Sequence, residues 1–237
     1  MSDGLIIDQL KKTQILELLQ EGKRVDGRQF DEPRKLSIDI GVIPKAEGSA
    51  RARLGDTEVV AGVKIQPERP FPDTGDKGML ICTAEILPIA HPSAETGPPQ
   101  PPVVELARVT DRGIRESGML DMKQLVLEKD KSVIGIFCDN AVTDHDGNLF
   151  DACSYASTAA INSCKIPKYE MQDEKPVKIE GEFIEPPITT LPVSVTMAKI
   201  GDFIVVDPTI EEWGIMDARI TITSNSDGNV VALQKGG

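Results

Sequence analysis

The sequence is poor in aromatic residues and in positive charge. Aromatic residues make up 4% of its 237 residues, which argues against an extended surface on which nucleic-acid bases stack. Lysine and arginine number 26 against 38 aspartates and glutamates, so the formal net charge is −12. A free-standing nucleic-acid binder usually carries a positive surplus that releases counterions from phosphates, and anionic membranes repel an acidic chain. The composition therefore argues against both classes of protein.

The sequence also lacks the patterns of a metal centre, a secretory signal and a membrane span. Its four cysteines form no Cys-x-x-Cys pair, and its two histidines, His91 and His145, are not spaced for a closed zinc site. No basic segment followed by an apolar core opens the chain, and no apolar run approaches the roughly 18 residues of a membrane helix. We therefore expect no metal, no membrane contact and a reducing, cytoplasmic location.

Hydrophobic periodicity predicts helices and strands that alternate in blocks. The predicted helices are 5–22, 103–118 and 149–164, and the last is rich in small residues, which places it centrally under a sheet. The predicted strands are 35–42, 49–54, 57–65, 79–87, 132–138, 191–200, 203–206, 217–223 and 229–234. This order predicts an α/β or α+β fold with mixed sheets.

Two features suggest internal organisation beyond single elements. Six prolines fall between residues 88 and 102, which predicts a long, stiff loop because proline disrupts both helix and strand. Residues 53–60 resemble residues 199–206, since both form hairpins that turn on Gly-Asp and close on Val-Val. Either a duplication of two βα halves or convergent hairpin chemistry explains this similarity.

Three arginines share one face of the helix predicted at 103–118. Arg108, Arg112 and Arg115 are four and three residues apart, which places them within about 60° of one another around the helix axis. Such a stripe suits phosphate oxygens, because each guanidinium offers a planar fork of donors. The alternative is a solvated face on which the arginines pair with neighbouring acids, namely Glu105, Asp111 and Glu116.

Two acidic segments are candidates for acid–base or metal chemistry. Asp207 follows a predicted strand and precedes Glu211 and Glu212, an arrangement that suits a general acid or a magnesium ligand set. The alternative is an Asp-Pro turn followed by exposed glutamates that cap the next segment. The turn from Asp144 to Asn148 is only superficially similar to a calcium loop, because it lacks the terminal bidentate glutamate.

From Arg24 onward the chain resembles the RNase PH family. The resemblance is carried by residues 24–28, 55–59, 105–115, 144–152 and 205–209, whose order and spacing are specific although each motif alone is weak. Within the family, the chain is most similar to the non-catalytic RNase PH-like subunits of archaeal exosomes. The resemblance implies an N-terminal helical extension at 1–23 and an RNase PH-like domain at 24–237, without the C-terminal helix that family members usually carry. The implied fold has two βαβα-like halves with mixed sheets around central helices.

The resemblance also implies partners and a reaction for the assembled complex. The subunit would alternate with a catalytic sister in a hexameric ring, a trimer of heterodimers that also binds RNA-binding cap subunits and single-stranded RNA. Such a ring degrades RNA from its 3′ end, with inorganic phosphate as the nucleophile and nucleoside diphosphates as products. That phosphate would bind at the sister's site, so we expect no cofactor on this chain.

The chain departs from the catalytic members of the family at two positions. Their Gly-Ser-Arg triplet, which binds the attacking phosphate, is matched here by 147–149 (Gly-Asn-Leu), and leucine offers neither a charge nor a donor. Their first catalytic aspartate is matched by Asp207, but Trp213 stands at the second position, six residues later. We therefore predict no catalytic residue and no phosphorolysis by this chain alone, and a structural role for Asp207, Glu211 and Glu212.

The resemblance implies that this chain helps to structure the catalytic neighbour's active site and binds the RNA backbone at their interface through Arg108, Arg112 and Arg115. It does not indicate which two of these arginines reach phosphates. Three rival functions stay open: an independent phosphorolytic enzyme, a structural ring spacer without RNA contact, and an unrelated small-molecule enzyme on a mixed sheet. The missing triplet argues against the first. RNA cross-linking would test the second, and a cleft with convergent titrating groups would indicate the third. The net charge then confines RNA binding to a limited face of the subunit.

Overall fold

The computed structural model describes residues 2–173 and 175–237, with the side chains of the first helix described from Leu10 onward. The α-helices are α1 (Ser2–Gln20), α2 (Pro101–Ser117), α3 (Leu149–Asn162) and α4 (Ile210–Ile215), and a 3₁₀ helix spans Met122–Leu125. The strands are β1 (Leu36–Ile40), β2 (Gly48–Leu54), β3 (Thr57–Glu68), β4 (Met79–Ile86), β5 (Val126–Glu128), β6 (Ser132–Asp144), β7 (Ile166–Gln172), β8 (Lys175–Ile184), β9 (Val193–Ile200), β10 (Phe203–Val206), β11 (Ala218–Ser224) and β12 (Val230–Gly236).

The strands form two main sheets and a separate hairpin. The larger sheet has the order β1-β2-β3-β6-β4, with β5 also paired to β6. Strand β4 runs parallel to β6, whereas the other pairs of this sheet are antiparallel, so the sheet is mixed. The smaller sheet is antiparallel with the order β10-β9-β11-β12, and β7 pairs with β8. The predicted fold class with mixed sheets is confirmed.

Helices α2 and α3 lie between the two sheets. Helix α3 contacts β2, β3 and β6 of the larger sheet and β9 of the smaller one, while α2 contacts β4, β11 and β12. The small side chains of Ala152, Ala156 and Ala160 are fully buried, which lets the backbone of α3 approach both sheets closely. The central position predicted for this helix is therefore confirmed.

Helix α1 belongs to a second, smaller core. Ile15 and Leu19 are buried against Ile200 and Val205 of the smaller sheet and against Ile215 of α4. Lys12 also donates to Asp217 at 2.8 Å. Leu10, which the periodicity placed on the apolar face, is 66% exposed, and the side chains of Leu5 and Ile6 lie outside the described part of the chain. Burial of one face thus fixes the second half of α1 to the domain.

Several boundaries differ from those predicted. Helix α2 begins at Pro101 because proline is compatible with the first helical turn, where its missing N–H costs nothing. Strand β6 continues to Asp144, well beyond the predicted end at 138. The hairpin β7–β8 was missed because β8 is largely exposed and lacks clean alternation, and α4 because six residues are too few for a periodic signal. The remaining proline-rich segment is a loop between β4 and α2.

The described residues offer neither a metal-binding cluster nor a membrane helix. No group of three or more His, Cys, Asp or Glu side chains in residues 2–173 and 175–237 is arranged to hold a metal ion. Over the same residues, no helix combines the length and the apolar character needed to cross a bilayer.

Candidate functional site

The arginine face of α2 is exposed, as predicted. Arg108, Arg112 and Arg115 point away from the core, while the opposite side of the helix buries Leu106 and Ile114. The helix ends at Ser117 and is capped by Gly118, whose φ of 69° favours glycine and whose N–H donates to the carbonyl of Arg115. The buried face fixes the helix, so the arginines have a defined position on the surface.

The three arginines differ in how far they are already paired. Arg115 donates to both carboxylate oxygens of Asp111 at 2.9 Å and to the carbonyl of Leu80 at 2.7 Å. Among residues 2–173 and 175–237, the single partner of Arg112 is the amide oxygen of Gln234, at 3.5 Å. Within the described residues, Arg108 has neither a hydrogen bond nor an ion pair. The alternative of a self-paired face therefore applies to Arg115 and not to Arg108 or Arg112.

Of the other acids expected beside the stripe, Glu105 pairs with a different arginine. Its carboxylate accepts from Arg219 at 2.6 Å and from the amide of Gln234 at 2.8 Å. This pairing across to the smaller sheet engages the Glu105 carboxylate with Arg219 rather than with Arg108 or Arg112. Glu116, the third of these acids, is exposed and lines the same depression as the three arginines.

The arginines border an open depression of about 400 Å³ between α2, the start of β4 and the preceding loop. Phe71 of that loop also lines it, and this aromatic side chain is 50% exposed. Exposed aromatic rings beside guanidinium groups suit single-stranded nucleic acid, because a base can stack while its phosphates bind the arginines. Phe71 was not among the site residues predicted from the sequence. The signal that could have found it is an aromatic residue in a polar, proline-containing loop of a chain that has few aromatic residues.

A second group of arginines surrounds Asp207 in the interior. Arg34 donates to the two carboxylate oxygens of Asp207 at 2.8 and 2.9 Å, and Arg28 donates to the same carboxylate at 3.1 Å. The amide of Asn148 donates to it at 2.7 Å. Burial alone raises the pKa of Asp207, but the hydrogen bonds and charge of Arg34 outweigh it and hold the pKa below its ordinary value. The Asp207 carboxylate is therefore held by Arg34, Arg28 and Asn148, which favour its ionised form.

Glu212 forms a second buried ion pair beside this cluster. Arg24 donates to its carboxylate from Nε at 2.8 Å and from Nη2 at 2.6 Å, and both side chains are fully buried. Glu212 also completes a capping box with Thr209 at the start of α4. The expectation of exposed glutamates was thus wrong for Glu212, because Arg24 from a distant part of the chain covers it, whereas Glu211 is exposed.

The turn at 147–149, where the resemblance places the phosphate-binding triplet of catalytic members, packs closely on the segment that follows Asp207. A Cβ at Gly147, whose φ is 90°, would lie 2.5–2.7 Å from the backbone of 208–210, so the turn is packed directly on that segment. The buried amide of Asn148 bridges Asp207 and Asp151, and Leu149 is only 8% exposed. Burial raises the pKa of Asp151 to about 7 although Asn148 and Thr196 donate to it.

Trp213, which the resemblance places where catalytic members carry a second aspartate, lies among aromatic side chains. Trp213 stacks on Phe150 with ring centroids 5.8 Å apart. The guanidinium carbon of Arg219 lies 4.1 Å from the centroid of Phe150 and 5.5 Å from that of Trp213. Asp207 therefore has no second carboxylate at this position with which to share a metal or a proton.

Two family patterns and several known relatives match this chain. The pattern of the 3′ exoribonuclease family, domain 1 (RNase PH), matches residues 32–167, and domain 2 of the same family matches residues 190–237. The chain is 47% identical over 237 residues to the exosome complex component Rrp42 of Thermococcus gammatolerans, covering 100% of this chain and 87% of that protein. It is 46% identical to the Rrp42 of Pyrococcus horikoshii, with 100% and 86% covered.

Chains of solved archaeal exosome structures are also similar to this chain. A chain of a structure described as the Archaeoglobus fulgidus exosome with RNA bound to the active site matches with a TM-score of 0.90 and 47% identity, covering 98% of this chain and 89% of that one. A chain of an archaeal exosome core matches with a TM-score of 0.85 and 44% identity, covering 98% and 87%. The chain therefore belongs to the RNase PH family of 3′ exoribonucleases.

Proposed function

We propose that this chain is a ring subunit of an archaeal exosome that has no phosphorolytic site of its own and contributes arginines to the RNA path. The observation that carries the proposal is the exposed face of α2, where Arg108 and Arg112 lack carboxylate partners within the described residues and lie beside Phe71. The Rrp42 relatives and the RNA-bound exosome structure support the assembly.

The interior of the domain supports the non-catalytic part of the proposal. A phosphorolytic site needs free donors for phosphate and an acid for the leaving oxygen. Here Arg34 and Arg28 are already bound to Asp207, and the turn at 147–149 presents a buried leucine in place of an arginine. Phosphate would have to break buried ion pairs in order to bind, which is costly.

The proposed partners follow from this division of roles. A catalytic sister of the same family would alternate with this subunit in a trimer of heterodimers and would bind inorganic phosphate as co-substrate. Cap subunits would bring single-stranded RNA to the ring. The net charge of −12 is compatible with this arrangement, because only the face around α2 needs to attract phosphates. A cytoplasmic location belongs to the same proposal.

The RNA-binding role is tested on the reconstituted ring with Arg112→Glu. We expect weaker binding of single-stranded RNA, because a carboxylate repels the phosphates that Arg112 would attract, with an unchanged ring mass. Lys178→Glu is the matched control: it makes the same change in charge at an exposed position on the separate hairpin β7–β8. Affinities that stay equal to the control across a salt series would contradict the RNA contact and favour a structural spacer.

The non-catalytic role needs a separate measurement. The purified subunit, incubated with poly(A) and inorganic phosphate, should release no nucleoside diphosphate, while the ring formed with the catalytic sister should do so. Diphosphate release by the subunit alone would show an independent phosphorolytic enzyme.

A further inference from the structure

Glu105 lies on α2 one helical turn before Arg108. Together with Arg108, Arg112 and Gln234, it lines an open depression of about 260 Å³ beside the helix. A carboxylate three residues before an arginine is well placed to pair with it on a helix surface. In the part of the chain that the structure describes, however, neither Arg108 nor Arg112 forms an ion pair with Glu105. Other contacts therefore hold this carboxylate.

The contacts that hold Glu105 come from the smaller sheet. Nη2 of Arg219, on β11, donates to the carboxylate at 2.6 Å, a short distance that is typical of a charge-assisted hydrogen bond. The amide of Gln234, on β12, donates to the same oxygen at 2.8 Å. Two donors therefore compete with Arg108 for this carboxylate, and one of them carries the charge that neutralises it.

Packing fixes the position of the Arg219 guanidinium. The residue is only 6% exposed, and its guanidinium carbon lies 4.1 Å from the centroid of the Phe150 ring. Gly236 stands opposite Arg219 on the neighbouring strand, and a Cβ at Gly236 would lie 2.7–2.9 Å from the guanidinium group. The missing side chain at Gly236 thus leaves the space that the guanidinium occupies when it binds Glu105.

We propose that Arg219 is a positioning residue for the RNA-binding face of α2. It neutralises and holds the Glu105 carboxylate, and so leaves the charge of Arg108 and Arg112 available to phosphates. Without Arg219, the amide of Gln234 would hold the carboxylate but would not cancel its charge. The carboxylate would then pair with Arg108 or repel an incoming phosphate, and either outcome removes about one effective cation from the face.

The inference rests on the proposed function, because it concerns how strongly this face attracts RNA. Arg219 is buried, so it acts through Glu105 and makes no phosphate contact of its own. A test must therefore distinguish an effect through the Glu105 carboxylate from a general loss of packing.

The test is a double-mutant cycle on the ring reconstituted with the catalytic sister. Arg219→Met keeps a long side chain over Phe150 but cannot bind Glu105. We expect the affinity for single-stranded RNA to fall at least threefold at low salt, with a slope of log K against log salt that is shallower by up to about 0.7. Adding Glu105→Gln should restore both values, because no carboxylate is then left to compete.

The control for the lost charge is Lys178→Met, which removes one cation from an exposed position on the separate hairpin β7–β8. It should leave RNA binding unchanged. A loss of affinity in Arg219→Met that Glu105→Gln does not reverse would show that Arg219 only packs the domain, and would overturn the proposal.

Gly236→Ala tests the same contact without changing the charge of the chain. Its Cβ would displace the Arg219 guanidinium, so we expect RNA affinity to fall as it does in Arg219→Met. Gly214→Ala is the matched control, because a Cβ at that position would meet open space. Thermal unfolding establishes that each variant is folded. Equal RNA affinities of the two glycine variants would overturn the role of Arg219.

Arg108→Gln and Arg112→Gln separate this inference from the proposed function. If they weaken RNA binding while Arg219→Met and Gly236→Ala do not, the RNA contact of α2 stands and only the role of Arg219 is overturned. If Arg108→Gln and Arg112→Gln leave RNA binding unchanged, the RNA contact itself is overturned, and this inference with it.

Discussion

Arginine is used in two opposite ways in this molecule. Around Asp207 and Glu212, the guanidinium groups of Arg24 and Arg34 are buried and bound to carboxylates and backbone carbonyls. On α2, Arg108 and Arg112 are exposed and have no carboxylate partner within the described part of the chain. The side-chain chemistry is identical, so the neighbouring acids decide whether an arginine holds the fold together or remains available to a ligand.

This difference also shows how an acidic subunit can serve RNA. The buried arginines Arg24 and Arg34 are each paired with a buried carboxylate, so these pairs add little net charge to the surface that a phosphate meets. The exposed pair on α2 carries charge that Glu105 does not cancel, because Glu105 binds Arg219. A few uncompensated cations on one face create a local attraction that the net charge of −12 conceals.

The largest expected effect on stability comes from breaking the buried ion pair between Arg34 and Asp207. Arg34→Met leaves the Asp207 carboxylate short of its strongest partner in a site that excludes water, and we expect a loss of about 3–5 kcal/mol in the free energy of unfolding. Urea denaturation of the subunit measures it. Arg112→Met is the matched control, and it should stay within about 0.5 kcal/mol because its side chain is exposed. Equal losses in the two variants would remove the distinction between the two groups.

The second expected effect is a pH dependence of the free energy of unfolding. It arises from Asp151, which shares the amide of Asn148 with Asp207. The folded pKa of Asp151 is raised to about 7, so its stabilising contribution is complete below the unfolded pKa near 3.8 and is lost as the pH rises through about 7. Between these values its slope is at most about 1.4 kcal/mol per pH unit. The unfolding free energy of the original chain should therefore fall relative to that of Asp151→Asn as the pH rises from 4 to 7. A constant difference between the two would contradict the raised pKa.

The pH dependence of stability that Asp207 contributes has the opposite sign to that of Asp151. Its folded pKa lies below the ordinary value, so its contribution is present above about pH 4 and is lost as the pH falls through the folded pKa. The Asp151 comparison is therefore best made above pH 4, where Asp207 stays ionised.

A smaller loss is expected from Glu212→Gln. The substitution keeps the shape of the side chain but removes the charge that binds Arg24 in two hydrogen bonds. Hydrogen bonds to charged groups contribute about 1.5–3 kcal/mol, and we expect a loss in that range by urea denaturation. Glu211→Gln is the matched control, because Glu211 is exposed one position earlier. A loss no larger than that of the control would show that the Arg24 pair contributes little.

The exposed arginines of α2 were easier to predict from the sequence than the buried ion pairs of Asp207 and Glu212. Spacings of three and four residues are enough to place Arg108, Arg112 and Arg115 on one helix face. Helix periodicity and hairpin turns likewise predicted most elements and the mixed sheets. The partners of Asp207 were not predictable in this way, because Arg34 lies 173 residues away along the chain and only the fold brings the two together.

The same limit applies to the stacked aromatic rings beneath Arg219 and to the pairing of the arginines on α2. No local pattern links Phe150, Trp213 and Arg219, which come from α3, α4 and β11. Sequence alone also left open which acids bind the arginine stripe. The structure differentiates the three residues, since Arg115 is held by Asp111 one helical turn earlier while Glu105 is drawn away to β11.

This differentiation predicts a graded effect on RNA binding by the assembled ring. When one cation that binds a phosphate of single-stranded RNA is removed, the slope of log K against log salt becomes shallower by about 0.7. Arg108→Gln and Arg112→Gln should each produce a decrease of about that size if one phosphate binds each residue. Lys178→Gln, on the separate hairpin β7–β8, should leave the slope unchanged. Slopes that match this control would place the RNA elsewhere on the ring.

The smallest effect is expected for Arg115→Gln. Its guanidinium must leave Asp111 and the carbonyl of Leu80 before it can bind a phosphate, so the salt slope should fall by less than in Arg108→Gln. An exposed pair at this spacing contributes only about 0.3–0.5 kcal/mol, so the variant should lose little stability. Asp111→Asn provides the converse measurement, since it frees Arg115 and should strengthen RNA binding. If Arg115→Gln instead lowers the slope as much as Arg108→Gln, the ion pair with Asp111 opens when RNA binds, and all three arginines form one contact surface.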